Sequence, residues 1–410
     1  MAQDVNKFFE GLMGLGDAWE IYDTRPPSDG DEFIHISIRT KPLVQFKCPR
    51  CGASCSVYDH TRERTWRNTD VLSYPTQVHA RIPRVDCRRC GVVQAEVPWA
   101  GPYGHFTLVM EAMIRSLIQE LPVSTTAAMM RVDDKAVMNV AHMYAERLRD
   151  NLDLSDLTRV GADERSLNRD EVATVFHNMD SGNIIFAVKG KGADTIGEFA
   201  VFLEAHKGKV SRITDFSTDF GGAYISGIRR WFKRARITVD RFHLVKMANE
   251  AVSNTRCSTI GLAINRLKLK YLLMRNRENL DEGGRAALKE ALDNNPVLSE
   301  AYSLKEYLLE TYNLSYEDAS IHLDRFVSAA SASNASAMRK LSRTVERFKT
   351  EILNRFLTGL SNGHVEGVNN LLNKVKARSY GFRSMENFID MIWVVASHAR
   401  TDFYGKPRPR

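Results

Sequence analysis

The chain has 410 residues, 43% of them hydrophobic, enough to bury at least one large core and long enough for two to four domains. Its 57 Lys and Arg against 50 Asp and Glu leave a net charge of +7 and a pI near 9.0, a surplus that suits a polyanionic partner but that many ordinary basic enzymes share. Six cysteines are too few for a disulfide-built scaffold. No apolar run approaches the roughly 20 residues that cross a bilayer, and the acidic, interrupted opening is unlike a secretion signal, so a cytoplasmic protein with no membrane partner is expected.

Alternation at Phe33, Ile34, Ile36 and Ile38 predicts a strand, followed by the cysteine knuckle "CPRCG" and, further on, a second one, "CRRCG". Cys48, Cys51, Cys87 and Cys90 thus have zinc-ribbon spacing, and the glycine after each pair lets the chain turn so that both thiolates face one ion. Two coincidental pairs of buried thiols would be the alternative, and the repeated glycine argues against it. Four thiolates saturate Zn2+, so the site is structural. Cys55 has uneven spacing and is the spare, while His60, His79 and His105 need no metal role. Arg62, Arg64 and Arg67, then Arg81, Arg84, Arg88 and Arg89, would form a positive surface on a small ribbon, with Trp66 available for stacking or packing. A plain solvated face fits the same residues.

From Phe106 the apolar period becomes helical, with a break at Pro122 and a cap expected at Ser124. A helix from Ser124 to Met130, a turn around Val132 and Asp133, and a helix from Asp134 to Arg149 have the size of a helix-turn-helix, with Lys135 a candidate DNA contact. A compact three-helix linker would show the same pattern.

The core begins near Leu157. "TRVGADERS", "EVATVFHNMD" and "NIIFAVKG" read as three strands joined by tight turns, then come a helix in "GADTIGEFAVFLEAHKG", a strand in "VSRITDFS", a helix in "DFGGAYISGIRRWFK" and a strand in "ARITVDRFH". That order predicts a ribonuclease-H-like mixed sheet with helices on its faces, and everything after His243 reads helical for more than a hundred residues.

Within this architecture Asp163 lies on the first strand, where it can meet an acid delivered by a later central strand. Asp215 and Asp219 compete for that second place, and Asp219 also suits a helix cap with no chemistry. Glu366 opens a predicted helix whose Asn370, Asn373 and Lys374 form a polar stripe. Three convergent carboxylates would resist ionising unless divalent cations neutralised them, which predicts Mg2+ or Mn2+. Lys374, Lys376, Arg378 and Arg383, interleaved with Tyr380 and Phe382, would set phosphate-binding charge beside the metals, although a basic helix end also complements its own dipole. Asp240 and His243 at a strand end resemble a ligand pair, but imidazole matches Mg2+ poorly. We therefore read them as auxiliary, with Asp240 orienting His243 and with Arg241 and Lys246 attracting phosphate, and Asp240 stays the alternative to Asp219 as second acid.

Together these motifs resemble the bacterial insertion-sequence transposases of the ISL3 family over nearly the whole chain. The resemblance implies an N-terminal zinc ribbon at 1–104, a helix-turn-helix at 105–152, a ribonuclease-H-like core at 153–243, an all-helical insertion at 244–355 and a final core segment with a basic tail at 356–410. It carries the catalytic acids over to Asp163 in "VGADE", Asp219 in "TDFGGAYISG" and Glu366 in "SNGHVEGVNNLLNKVKARSYGF", and it matches "DRFH" at Asp240 to His243 without change. The glycine pair after Asp219 departs from the serine and proline more usual in the family. The implied activity is metal-dependent DNA cleavage and strand transfer at terminal inverted repeats, by a homodimer associated with the nucleoid. A catalytically silent DNA-binding regulator and a hydrolysis-only nuclease are the rival expectations. The insertion is expected to clamp DNA or another subunit, or to serve as a structural layer.

Overall fold

A computed structural model describes residues 2–101, 104–168, 170–259, 266–275, 280–358, 370, 372–377, 382 and 384–396. The chain divides into two compact units, Met1–Arg147 and Leu148–Ala396. No described helix is long and apolar enough to cross a membrane.

In the first unit, helix α1 (Ala2–Met13) packs on β1 (Trp19–Arg25), which pairs with β2 (Ile34–Thr40). The tiny strands β3 (Phe46–Lys47) and β4 (Ser54–Cys55) flank the first knuckle. The long strands β5 (Val57–Val71) and β6 (Tyr74–Cys87) form an antiparallel hairpin, and β7 (Gly91–Gln94) folds back on β6 after the second knuckle. The sheet runs β1-β2-β6-β5. The hairpin is larger than the small ribbon expected, and it turns on Leu72 and Ser73, both at positive φ, where two-residue hairpin loops normally show Asn or Gly. Trp66 is wholly buried and meets Trp99 edge-on at 5.7 Å, so it packs rather than stacks on a ligand.

Three helices complete this unit: α2 (Leu108–Ile118), α3 (Val123–Met130) and α4 (Asp134–Asp150). Thr107 caps α2, its hydroxyl accepting the Met110 amide at 3.3 Å. The expected cap at Ser124 is corrected to Pro122, which begins the helix without a side-chain hydrogen bond; the pre-set φ of proline does the work of a cap. Arg131 ends α3 in the left-handed conformation, and Asp133 accepts the Ala136 amide at 2.6 Å to start α4.

The second unit is built on a mixed sheet of β8 (Arg159–Ser166), β9 (Val172–Asn178), β10 (Ile184–Lys189), β11 (Asp215–Thr218) and β12 (Arg236–Val239), in the order β10-β9-β8-β11-β12. The first three strands are antiparallel, and β11 runs parallel to both β8 and β12. Helices α5 (Ala193–Ala205) and α6 (Gly222–Trp231) cover the face bearing Phe176 and Phe216, where Phe199 of α5 stacks on Phe176 at 4.4 Å. Burying each such ring contributes roughly 1.5–3 kcal/mol.

Two strand expectations are shortened. "VSR" forms a 3-10 turn, leaving only Asp215–Thr218 as strand, and "DRFH" is not a strand end but the start of a helix capped by Asp240. The helical stretch comprises α7 (Arg241–Thr259), α8 (Arg266–Met274), α9 (Glu282–Asp293), α10 (Pro296–Glu310), α11 (Tyr316–Ser331), α12 (Ser336–Arg347) and α13 (Lys349–Thr358). α13 runs along β12, where the Asn354 amide donates to the outward Ile237 carbonyl at 2.8 Å and closes the free edge of the sheet. A last helix, α14 (Met385–Ala396), packs on β9 and β10.

Candidate functional site

Two groups of side chains with metal-ligating chemistry stand out, a set of thiols and a row of acids. In the first unit, Cys48, Cys51, Cys87 and Cys90 bring all four sulfurs within 4.8 Å of one another. Tetrahedral Zn2+ with bonds near 2.3 Å needs sulfurs about 3.8 Å apart, so the set fits the ion. Gly52 and Gly91 sit at φ +75 and +73, the left-handed turns that let each pair converge. Backbone amides of Arg89 and Cys90 aim at Cys87 and bring its thiol down to about 6, while the neighbouring Cys51 pushes Cys90 up to about 12. Cys55 is buried close by but outside the set, its thiol donating to the Ala53 carbonyl at 3.4 Å.

In the second unit, strand register builds a row of acids. Asp215 faces Arg159 on β8 and Arg236 on β12, and Ser217 faces Gly161 and Thr238. Continuing that register sets Asp163, within β8, level with Asp219 and Asp240, just past the ends of β11 and β12, on neighbouring strands that lie about 4.8 Å apart. The Asp240 amide, donating to the Thr218 carbonyl at 3.0 Å, carries the pairing that far. Asp215 begins β11 and lies at its opposite end, bonded by Thr214 at 2.7 Å, so of the two only Asp219 falls level with the row.

The carboxylates differ in their surroundings. Asp163 accepts from Arg165 at 2.7 Å, on the same side of β8 by strand alternation. His177 crosses behind this strand, where a methyl group at Gly161 would overlap its ring, and burial holds the imidazole down at about 4, neutral at pH 7. Asp219 accepts from the Gly221 amide at 2.9 Å. Its charge, after burial itself, pushes up the carboxyl of Glu164, which the Tyr224 hydroxyl hydrogen-bonds. Asp240 accepts from the Phe242 amide at 2.8 Å; burial raises its carboxyl, the Phe242 amide and His243 pull it back, and Asp163 raises it further. His243 lies half-buried in the first turn of α7.

Closely set, partly buried carboxyls favour a hard cation, and the donor oxygens suit Mg2+ or Mn2+. Among the described residues, however, only the four cysteines bring three ligand atoms within 4.8 Å. Glu366 lies outside the described residues, as do Arg378 and Arg383. No spacing rule singles out His177 or Tyr224, which come from other segments, but Arg165 was readable from alternation, two positions beyond Asp163.

The remaining basic residues are placed as follows. Arg62, Arg88, Arg89 and Lys135 are exposed in the first unit. Arg64 bonds the Gly104 carbonyl at 3.2 Å and lies over Trp66, while Arg67 is engaged by Asp70 and the Thr76 carbonyl. In the second unit Arg241, Lys246, Lys374 and Lys376 are exposed, the last bonding the Ser166 carbonyl at 2.6 Å. Leu372 and Val375 bury one side of the helical residues 372–377, leaving Asn370, Asn373 and Lys374 exposed.

Three family models match the chain: "zinc-finger of transposase IS204/IS1001/IS1096/IS1165" at residues 45–90, "Helix-turn-helix domain of transposase family ISL3" at 95–145, and the ISL3 DDE "Transposase" model at 160–392. The chain is 26% identical over 434 residues to the transposase for insertion sequence element IS1557 of Mycobacterium tuberculosis, covering 98% of this chain and 97% of the relative. It is also 26% identical over 403 residues to the transposase for insertion sequence element IS1001 of Bordetella parapertussis, covering 93% and 96%.

Proposed function

The chain belongs to the ISL3 family of DDE-type transposases, and from that premise we propose that it binds the terminal inverted repeats of an insertion sequence and cuts and rejoins DNA there by phosphoryl transfer. The observation that carries this reading is the parallel pairing of β8, β11 and β12, whose register, carried forward, sets Asp163 level with Asp219 on the side toward which these strands run, where open α/β sheets take ligands. The strand order β10-β9-β8-β11-β12 supports a ribonuclease-H-like core for it.

In this reading Asp163, Asp219 and Glu366 would hold Mg2+ or Mn2+, which when bound activates an attacking water and offsets charge on the leaving 3′ oxygen. A divalent cation at Asp163 competes with the Arg165 guanidinium for the same carboxylate. The first displacement breaks one phosphodiester at the element end and leaves a 3′ hydroxyl. In the second, that hydroxyl attacks a target phosphodiester in line: its oxygen bonds to the phosphorus as the target's own 3′ oxygen leaves, and the proton lost by the attacking hydroxyl is matched by one taken up at the leaving oxygen. Asp240 caps α7 and so aims His243 and Arg241, while Lys246 and Lys374 attract backbone phosphate. The thiol-bearing unit and its helix-turn-helix read the repeats, and a homodimer brings two ends together on the nucleoid. The segments 1–104, 105–152, 153–243, 244–355 and 356–410 divide this work.

A donor-plasmid assay scoring excision and insertion in Mg2+ tests the assignment, with Asp219→Asn and Asp240→Asn beside wild type. Excision is expected to fall at least about 1000-fold in Asp219→Asn, the scale of losing a group that acts only in the transition state, and far less in Asp240→Asn. Normal excision by Asp219→Asn overturns the assignment.

A further inference from the structure

Among the described residues, the turn between α10 and α11 brings the helical insertion close to Asp240. Between α10 and α11 a 3-10 turn, Thr311–Asn313, presents Tyr312, and two guanidinium groups gather on its ring: Arg241 with Cζ at 4.9 Å from the centroid and Arg355 at 5.8 Å. Arg241 is the residue directly after Asp240. Arg355 follows Asn354, whose amide ties α13 to β12, and its charge acts on the Asp240 carboxyl. The Tyr312 hydroxyl is sealed from solvent and has no hydrogen-bond partner among the described residues. A buried, unsatisfied hydroxyl is unfavourable, so what this position uses is the electron-rich ring.

Two like charges on one ring repel, and the ring face and Asp240 offset only part of that repulsion. The cluster therefore favours an added anion. Arg241 is exposed and forms no ion pair among the described residues, so its planar fork is available to phosphate oxygens.

We propose that Tyr312 is a positioning residue of the cleavage site, holding Arg241 beside Asp240 so that its guanidinium grips a DNA backbone phosphate next to the one that is cut. The insertion then supplies part of the substrate-binding surface rather than a separate layer. This inference rests on the reading of the chain as a DNA-cutting enzyme.

The test uses the full-length, zinc-loaded protein and a fluorescently labelled mixed-sequence duplex, without added Mg2+ or Mn2+ so that binding is read without turnover. The slope of log K against log salt counts phosphates engaged, at roughly 0.9 per contact. Arg241→Gln is expected to reduce that slope by about one contact, Tyr312→Ala to reduce it equally, the double variant to reduce it no further, and Tyr312→Phe to leave it unchanged. A Tyr312 that served folding alone would lower the melting temperature without moving the slope. Should Tyr312→Ala fail to fold, Tyr312→Leu takes its place, and the exposed Arg241→Gln tests the phosphate contact by itself. An unchanged slope in Arg241→Gln, or in Tyr312→Ala or its Leu substitute, overturns the proposal while leaving the DNA reading intact. A wild-type protein that does not bind the duplex overturns that reading, and this inference with it.

Discussion

The thiol centre draws its four ligands from two short turns, each closed by a glycine in the left-handed region, whereas the acid row draws Asp163, Asp219 and Asp240 from three strands brought together by register. The first is local and self-contained, and its sulfurs already stand within reach of one ion. The second is non-local, its members are answered by Arg165, by the Gly221 amide and by the Phe242 amide, and it depends on the whole sheet being in place. The thiol centre is thus complete within its own loops, while the acid row is shared among several segments.

The largest expected contrast is in metal dependence. Structural Zn2+ contributes on the order of 10 kcal/mol to small metal-built folds. Cys48→Ser and Cys90→Ser are therefore expected to lose bound zinc in metal analysis and to lower the melting of the first unit in circular dichroism. The second unit, with its aromatic core, should melt unchanged. Full zinc stoichiometry in both variants rules out the four-cysteine site.

A middle-sized effect separates the two units by pH. The folded state holds His177 at about 4 against an ordinary 6.5, so the unfolded chain binds the extra proton between those values. Stability from this residue is complete above pH 6.5 and is lost as pH falls toward 4, about 3 kcal/mol in all. Denaturant melts across that window should show the loss in the second unit and its absence in His177→Leu. An equal pH dependence in that variant would contradict the assignment.

The smallest effect is steric. Gly161→Ala places a methyl group against the His177 ring, an overpacking expected to cost about 1–3 kcal/mol, seen as a shift of the second unit's denaturation midpoint with its slope kept. Unchanged stability would mean that the ring has room to move away from β8.

The same contrast explains what could be read from the sequence. Cys48 to Cys90 announce themselves because ligand spacing and glycine lie within a few residues of each other, and the alternation of "VGADERS" and "EVATVFHN" marks two strands directly. The hairpin of β5 and β6 escaped because Leu72 and Ser73 carry none of the usual turn residues. "DRFH" passed for strand because nothing in its apolar pattern marks Asp240 as a cap, and only the Phe242 amide on its carboxylate reveals it. Asp215 and Asp219 fall at opposite ends of β11, a difference that follows from where the short strand begins and stops and that their spacing does not convey. Tyr312 had no signal, since its neighbours Arg241 and Arg355 are set by how the insertion folds back.

The Asn354 side chain on the Ile237 carbonyl has a consequence beyond holding α13. β12 is an outer strand of an otherwise apolar sheet, and an open row of amides and carbonyls there would invite strands of other copies to add on. A chain with a surplus of +7 that gathered along a polyanion would be crowded against its own copies. With α13 lying along β12 and Asn354 taking the Ile237 carbonyl, less of that border is open to such pairing.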